Sequence, residues 1–242
     1  MTAATPNLID APGTPEAAWQ GWPGLSRLPS ADLSGLRSAV VFAAHPDDEV
    51  LGAGGTLSLL ASAGVGLRLV SVTDGEASHP GSVDRNALAE RRAAETAEAL
   101  RELGAQSAQV IRLRFPDTGL HLMRDKLTAV VSNLARGFDA CLAPWENDGH
   151  ADHEAVGRAA REAGTEPVFY PIWMWHWSFP ADSRVPWHRA CKVALPSIVA
   201  ARKRAAIRCF ASQLEPRAAS LGPVLSPETT AHFNRRQETF VR

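Results

Sequence analysis

The chain has 242 residues, enough for one domain with a substantial core, and its 45% hydrophobic and 21% charged composition is that of an ordinary globular protein. Lys and Arg total 25 against 26 Asp and Glu, a formal charge of -1, so no excess of cations points to nucleic acid. Cys141, Cys191 and Cys209 form neither a CxxC pair nor a disulfide framework, and no signal-like or bilayer-length apolar run is found, which together predict a cytoplasmic protein without a membrane span.

Residues 1–37 are rich in Ala, Pro and Gly and carry Trp19 and Trp22; they read as an N-terminal arm, pinned by those indoles, ahead of a single domain over 38–242. From Ala39 apolar runs alternate with segments of helical period. AVVFAA is followed by a helix near Gly54 to Ala63, and LRLVSV by a helix from about Asn86 to Leu103, in which Ala93, Ala97 and Leu100 make an apolar stripe. AQVIRL, a helix over Arg124 to Arg136, DACLAP, a helix over Asp152 to Ala163 and PVFYPIW continue the pattern. Alternation of this kind predicts an α/β fold, a Rossmann-like, mostly parallel sheet with helices on both faces and a divergent C-terminal third. In that third lie the aromatic run Trp173 to Phe179, fit either to stack a sugar or to pack as a strand edge, and a helix over Ser197 to Ser212. The last thirty residues carry no clear pattern.

Two polar clusters stand where such a sheet builds its sites, after strands. AHPDDE supplies His45, Asp47, Asp48 and Glu49, with Pro46 suited to the first position of a helix. NDGHADHE supplies His150, Asp152 and His153. Taken singly, the first is also what a helix start needs for its dipole and the second also reads as a solvated loop. Together they converge on one crevice, and His45, Asp48 and His153 make the three-ligand set of a hydrolytic zinc site with a position left for water. Asp47 is then free to face that water.

These residues resemble the LmbE and PIG-L group of N-acetylglucosaminyl deacetylases. The likeness extends through Thr73-Asp74-Gly75-Glu76, through Arg92, Glu95, Ala99, Leu103 and Gly104, and through Phe115-Pro116-Asp117, with a weaker echo at Lys203, Ala206, Ser212 and Gln213. It implies a metal held by His45, Asp48 and His153, Asp47 as general base, and His150, oriented and charge-tuned by Asp152, steadying the oxyanion or serving as acid. Arg92 and Asp117 are the candidates for substrate binding. Ala151 stands where the group usually has proline, in HADH.

The resemblance implies Zn2+, or another divalent metal such as Fe2+, as cofactor and an N-acetylated sugar as substrate, and leaves a homo-oligomer open. The ion would activate water and polarise the amide, Asp47 would take the proton, and a protonated His150 would meet the oxyanion, giving a bell-shaped pH dependence. Within the same chemistry, an amidase acting on a thiol-sugar conjugate is an alternative. An Fe(II) oxygenase shares the two-His, one-carboxylate set, and a nucleotide-binding protein would use GAGG at Gly52 to Gly55 as its cradle.

Overall fold

The structure, a computed structural model, describes residues 12–79, 84–218 and 221–242, so the first eleven residues of the expected arm lie outside the described residues. Two short helices, α1 (Glu16–Gln20) and α2 (Pro23–Arg27), come first. The predicted alternation follows as β1 (Ser38–Ala43), α3 (Asp48–Ser62), β2 (Gly66–Thr73), α4 (Arg85–Glu102), β3 (Gln109–Phe115), α5 (Arg124–Ala135), β4 (Ala140–Pro144), α6 (Ala151–Glu162) and β5 (Val168–Tyr170). The last third adds α7 (Met174–Trp177), β6 (Ala190–Ala194), α8 (Ser197–Arg208), α9 (Ala211–Leu214), α10 (Pro227–Ala231) and β7 (Gln237–Val241).

All seven strands join one sheet in the order β3-β2-β1-β4-β5-β7-β6. The first five are parallel, and β7 runs antiparallel to both β5 and β6. This is the expected α/β architecture. The crossovers place α3 and α4, packed with α8, on one face, and α5 with α6 on the other, as right-handed connections would. Strand β1 leaves through α3 toward β2, whereas its neighbour β4 leaves through α6 toward β5. The two connections diverge, and a crevice opens between the carboxyl ends of β1 and β4.

Several local expectations are corrected by packing. PVFYPIW is a strand only as far as Tyr170, because the Asp148 carboxylate then takes the N–H groups of Ile172, Trp173 and Met174 and turns the chain into α7. The aromatic run is therefore a single helical turn and not a strand edge. The helix expected over Ser197 to Ser212 breaks after Arg208, and α9 follows separately. In α4 the stripe holds only in part. Leu100 is buried and Ala93 half-buried, but Ala97 is exposed, and the inward face adds to Leu88, Ala89 and Ala99 two polar residues, Arg92 and Glu95, that meet partners elsewhere in the fold.

The glycines at 52–55 lie inside α3 and serve packing. A Cβ on Gly52 would stand 2.2 Å from the Tyr170 ring and one on Gly55 2.5 Å from Leu195. With Asp47, Asp48 and Glu49 at the start of α3, nothing there cradles a phosphate. Trp19 is fully buried, edge-on to Trp175 at 5.0 Å, and its indole N–H donates to the Trp175 carbonyl. The unpatterned C-terminal stretch places Glu238 of β7 under α3. Its carboxylate accepts from the Gly55 and Thr56 N–H groups, from Thr56 Oγ1 and, at 2.6 Å, from the buried Lys203 ammonium. Among the described residues no helix is long and apolar enough to cross a membrane.

Gly157 sets the distance between α6 and β4. A Cβ there would stand 2.5 Å from the Pro144 carbonyl oxygen and 2.8 Å from the Glu146 nitrogen, both backbone atoms that cannot swing aside. Gly157→Ala is expected to destabilise the fold by about 1–3 kcal/mol, the usual cost of overpacking, read as a lower midpoint in urea unfolding.

Candidate functional site

The crevice is a cavity of about 280 Å³. His45, Asp47 and Asp48 enter it from the turn after β1, Asp117 and Thr118 from the segment after β3, and His150 and His153 from the start of α6. The far wall is Ile172, Trp173, Gln213, Arg217 and Leu225.

The turn after β1 is unusual in its backbone. Pro46 is not the first helical residue, as expected, because Asp47 intervenes with φ 120 and ψ -31, and α3 begins at Asp48. Such a conformation costs a non-glycine residue on the order of 1–3 kcal/mol. Hydrogen bonds hold it: the Asp48 carboxylate accepts the His45 N–H at 2.9 Å, and Glu49 accepts that of Asp47 at 3.2 Å.

Asp48 is the centre of the cluster. One of its oxygens lies 3.2 Å from His153 Nε2 and the other 3.6 Å from His45 Nδ1. The far nitrogen of each ring meets carboxylates: His153 Nδ1 is 2.7 Å from Asp148, and His45 Nε2 is 3.2 Å from both Asp117 and Asp152. An outer carboxylate on a histidine fixes its tautomer and turns the opposite nitrogen into a ligand. Asp48 thus lies between His45 and His153, and nitrogens of His45, His150 and His153 also lie within 4.8 Å of one another, a donor group in which His150 stands where Asp48 was expected.

The donor set fits a divalent cation on its own chemistry. Burial opposes charge on either ring, yet Asp117, Asp152 and Asp48 hold His45 protonated well above its ordinary range, and Asp48 with Asp148 lifts His153 to about 9. Protons gather where the carboxylates demand positive charge, at nitrogens and oxygens of the kind that bind zinc or iron. Another arrangement, His45 with Asp117 and Asp152, is also close enough to hold an ion. There, however, the carboxylates are occupied by the backbone N–H groups of Ala77, Thr118 and Leu120.

Those bonds bear on three expectations. The Asp152 carboxylate secures His45 and the 118–120 turn, while His150 receives the Asp152 backbone N–H on its Nδ1 at 3.3 Å, as the N-cap of α6. His150 is not held protonated. Burial and the neighbouring charges of His153 and His45 push it down to about 3, so the neutral ring, unprotonated at Nδ1, carries its proton on Nε2. Asp117 and Arg92 do line the cavity, but the Asp117 carboxylate is tied to His45 and the Ala77 N–H, and the Arg92 guanidinium to Gly75, Pro46 and Asp47. Asp148 was missed altogether; its signal was a carboxylate five residues before His153. Asp47, buried at the cavity wall, is raised to about 7 by that burial, with Arg92 opposing the rise.

A family model described as PIG-L: GlcNAc-PI de-N-acetylase matches residues 40–164, just over half of the chain. The chain belongs to the PIG-L family. An uncharacterized deacetylase of Escherichia coli, YaiS, is 30% identical over 146 residues, covering 56% of this chain and 74% of that protein. Diacetylchitobiose deacetylase of Thermococcus kodakarensis is 32% identical over 124 residues, and the match spans 49% of this chain and less than half, 46%, of that protein. Among solved structures, a conserved protein of Thermus thermophilus superposes with a TM-score of 0.61 at 25% identity, over 86% of this chain and 94% of that one. The PIG-L segment contains each of the polar residues around Asp48; Trp173, Gln213, Arg217 and Leu225 lie beyond it.

The outer carboxylate of His153 can be tested directly. Asp148→Asn keeps a hydrogen-bond acceptor for the α7 backbone but loses the charge, and is expected to weaken divalent-metal binding about 10- to 100-fold in competition with a chromogenic chelator. Because His153 must shed a proton held up to about 9, apparent affinity in the wild type should climb as pH rises toward that value.

Proposed function

We propose that the chain is a metal-dependent hydrolase, with zinc as its metal, that removes the acetyl group from an N-acetylglucosamine-containing small molecule or glycoconjugate. The observation that carries this reading is the placement of a buried carboxylate, Asp47, beside a carboxylate flanked by two carboxylate-backed histidines, in the family segment of a deacetylase. The relative named for diacetylchitobiose supports the sugar class.

His45, Asp48 and His153 hold the cation, which supplies Lewis acidity toward a water and an amide carbonyl. Asp47 accepts the proton of the attacking water and passes it to the departing amine. A group raised to about 7 suits this exchange, since it is ionised in useful amount and still returns a proton. His150 donates from neutral Nε2 to the oxygen that becomes negative, in a cavity where a fixed donor counts for more than it does in water. The sugar sits against the wall formed by Trp173, Gln213, Arg217 and Leu225, and that wall selects the group beyond the glucosamine.

The test is acetate release by zinc-loaded protein from a panel of N-acetylglucosaminides. Wild type is expected to release acetate, and Asp47→Asn to lose about 100- to 10,000-fold in kcat with metal content unchanged. The base acts ionised, so kcat/KM should rise with pH and level off once Asp47 is deprotonated. Burial has raised that group to about 7, which is where the rise is expected. No release from any panel member by fully loaded protein rejects the reading.

A further inference from the structure

We propose that Arg92 is a positioning residue: its guanidinium clamps the turns after β1 and β2 together and thereby holds Asp47 in the strained conformation from which it faces the cleft. The proposal rests on Asp47 being the base. Arg92 comes from α4, is almost wholly buried, and reaches across two loops. Nη1 donates to the Gly75 carbonyl at 2.9 Å; Nη2 donates to the Pro46 carbonyl at 2.5 Å and to the Asp47 carboxylate at 3.2 Å. Nε is buried without a partner, so the engaged nitrogens are the two that span the loops.

Gly75 is the counterpart of this arrangement. It has φ +65, and a Cβ on it would stand 1.8 Å from Arg92 Nη1, so the arginine passes only because no side chain is there. The loop bearing Gly75 is itself fixed to β1: Thr73 donates by both its N–H and its hydroxyl to the Ala44 carbonyl, and the Gly75 N–H donates to the Thr73 hydroxyl. On the other side of Asp47, Glu49 accepts its N–H. Asp47 is thus gripped at its amide, at the carbonyl before it and at its carboxylate, while its own carbonyl accepts the Val50 and Leu51 N–H groups as α3 begins. A residue at φ 120 keeps that conformation only where its surroundings impose it, and Arg92 supplies two of those holds, one of them the side-chain hold on the carboxylate. A lysine has three donors but on a single nitrogen, without the fork by which Nη1 and Nη2 reach separate loops.

Three variants separate the clamp from a substrate contact or a general support. Arg92→Met is expected to lower kcat about 100-fold, the scale of a displaced catalytic group, with KM for the N-acetyl sugar and zinc affinity close to wild type. Arg92→Lys should recover only part of the loss. Gly75→Ala, which keeps the arginine but expels its guanidinium, should reproduce the kcat loss, and the double variant should be no worse than Arg92→Met. Urea unfolding of the apo-protein gives a readout independent of turnover: Gly75→Ala should cost clearly less stability in the Arg92→Met background than in wild type. A tenfold rise in KM with kcat kept would make Arg92 a substrate contact, and additive effects of the pair in both measurements would overturn the clamp. If wild type releases no acetate from any sugar, the deacetylase reading fails, and the unfolding cycle alone still decides whether Gly75 and Arg92 form one device.

Discussion

The structure depends on a concentration of negative charge in a place with little water. Asp47, Asp48, Glu49, Asp148 and Asp152 are buried together at the ends of β1 and β4, and Asp117 closes in from β3. Carboxylates taken out of water must find cations or N–H donors, or else take up protons. The loops are shaped by that demand. Six backbone N–H groups, of Ala77, Thr118, Leu120, Ile172, Trp173 and Met174, point at Asp117, Asp152 and Asp148, and the turns that carry them line or border the cleft. Loop conformation and ligand geometry are therefore one property: the bonds that satisfy the acids also fix His45 and His153.

Much of this was legible in the sequence where local pattern decides structure. Strands such as β1, buried on both faces, are continuous apolar runs, and the alternation with helices fixed the α/β class and the strand ends at which His45 and His153 meet. What could not be read depends on partners far apart in the chain. The inward face of α4 mixes polar residues with Leu88, Ala89, Ala99 and Leu100 because Arg92 answers Asp47, 45 residues earlier, and Glu95 answers Ser212, 117 residues later. An apolar stripe is an incomplete guide on such a helix. Asp152 looked like the partner of its neighbour His150, but helix geometry turns its carboxylate toward His45 instead. Asp148 gave no periodic signal, and the backbone twist at Asp47 is recorded in no residue preference.

The cleft divides along the chain. Its chemical half comes from the segment shared with the PIG-L family, and the opposing half from α7, α9 and the loop that follows it. The two halves are coupled without sharing residues. Asp148 backs His153 with one carboxylate and organises the start of α7, and with it Trp173, using the same two oxygens. A change in the wall that moved α7 would be felt at the His153 imidazole, which limits how freely the far wall can diverge.

Glu238 gives the fold an order of assembly. It sits in β7, yet four of the donors it satisfies belong to α3 and α8, built long before it, and among the described residues β6 pairs along its length with β7 alone, its other edge meeting residues 29–31 only at Lys192. A chain synthesised from its amino end can pair β1 to β5 as it emerges, but it holds a buried lysine without a counter-charge, and a β6 paired only at Lys192, until β7 arrives. Nascent chains stalled before that point would leave the β7-facing edge of β6 free, and quality-control proteases and chaperones that watch for such edges would see an unfinished protein even though the loops of its cleft were already made.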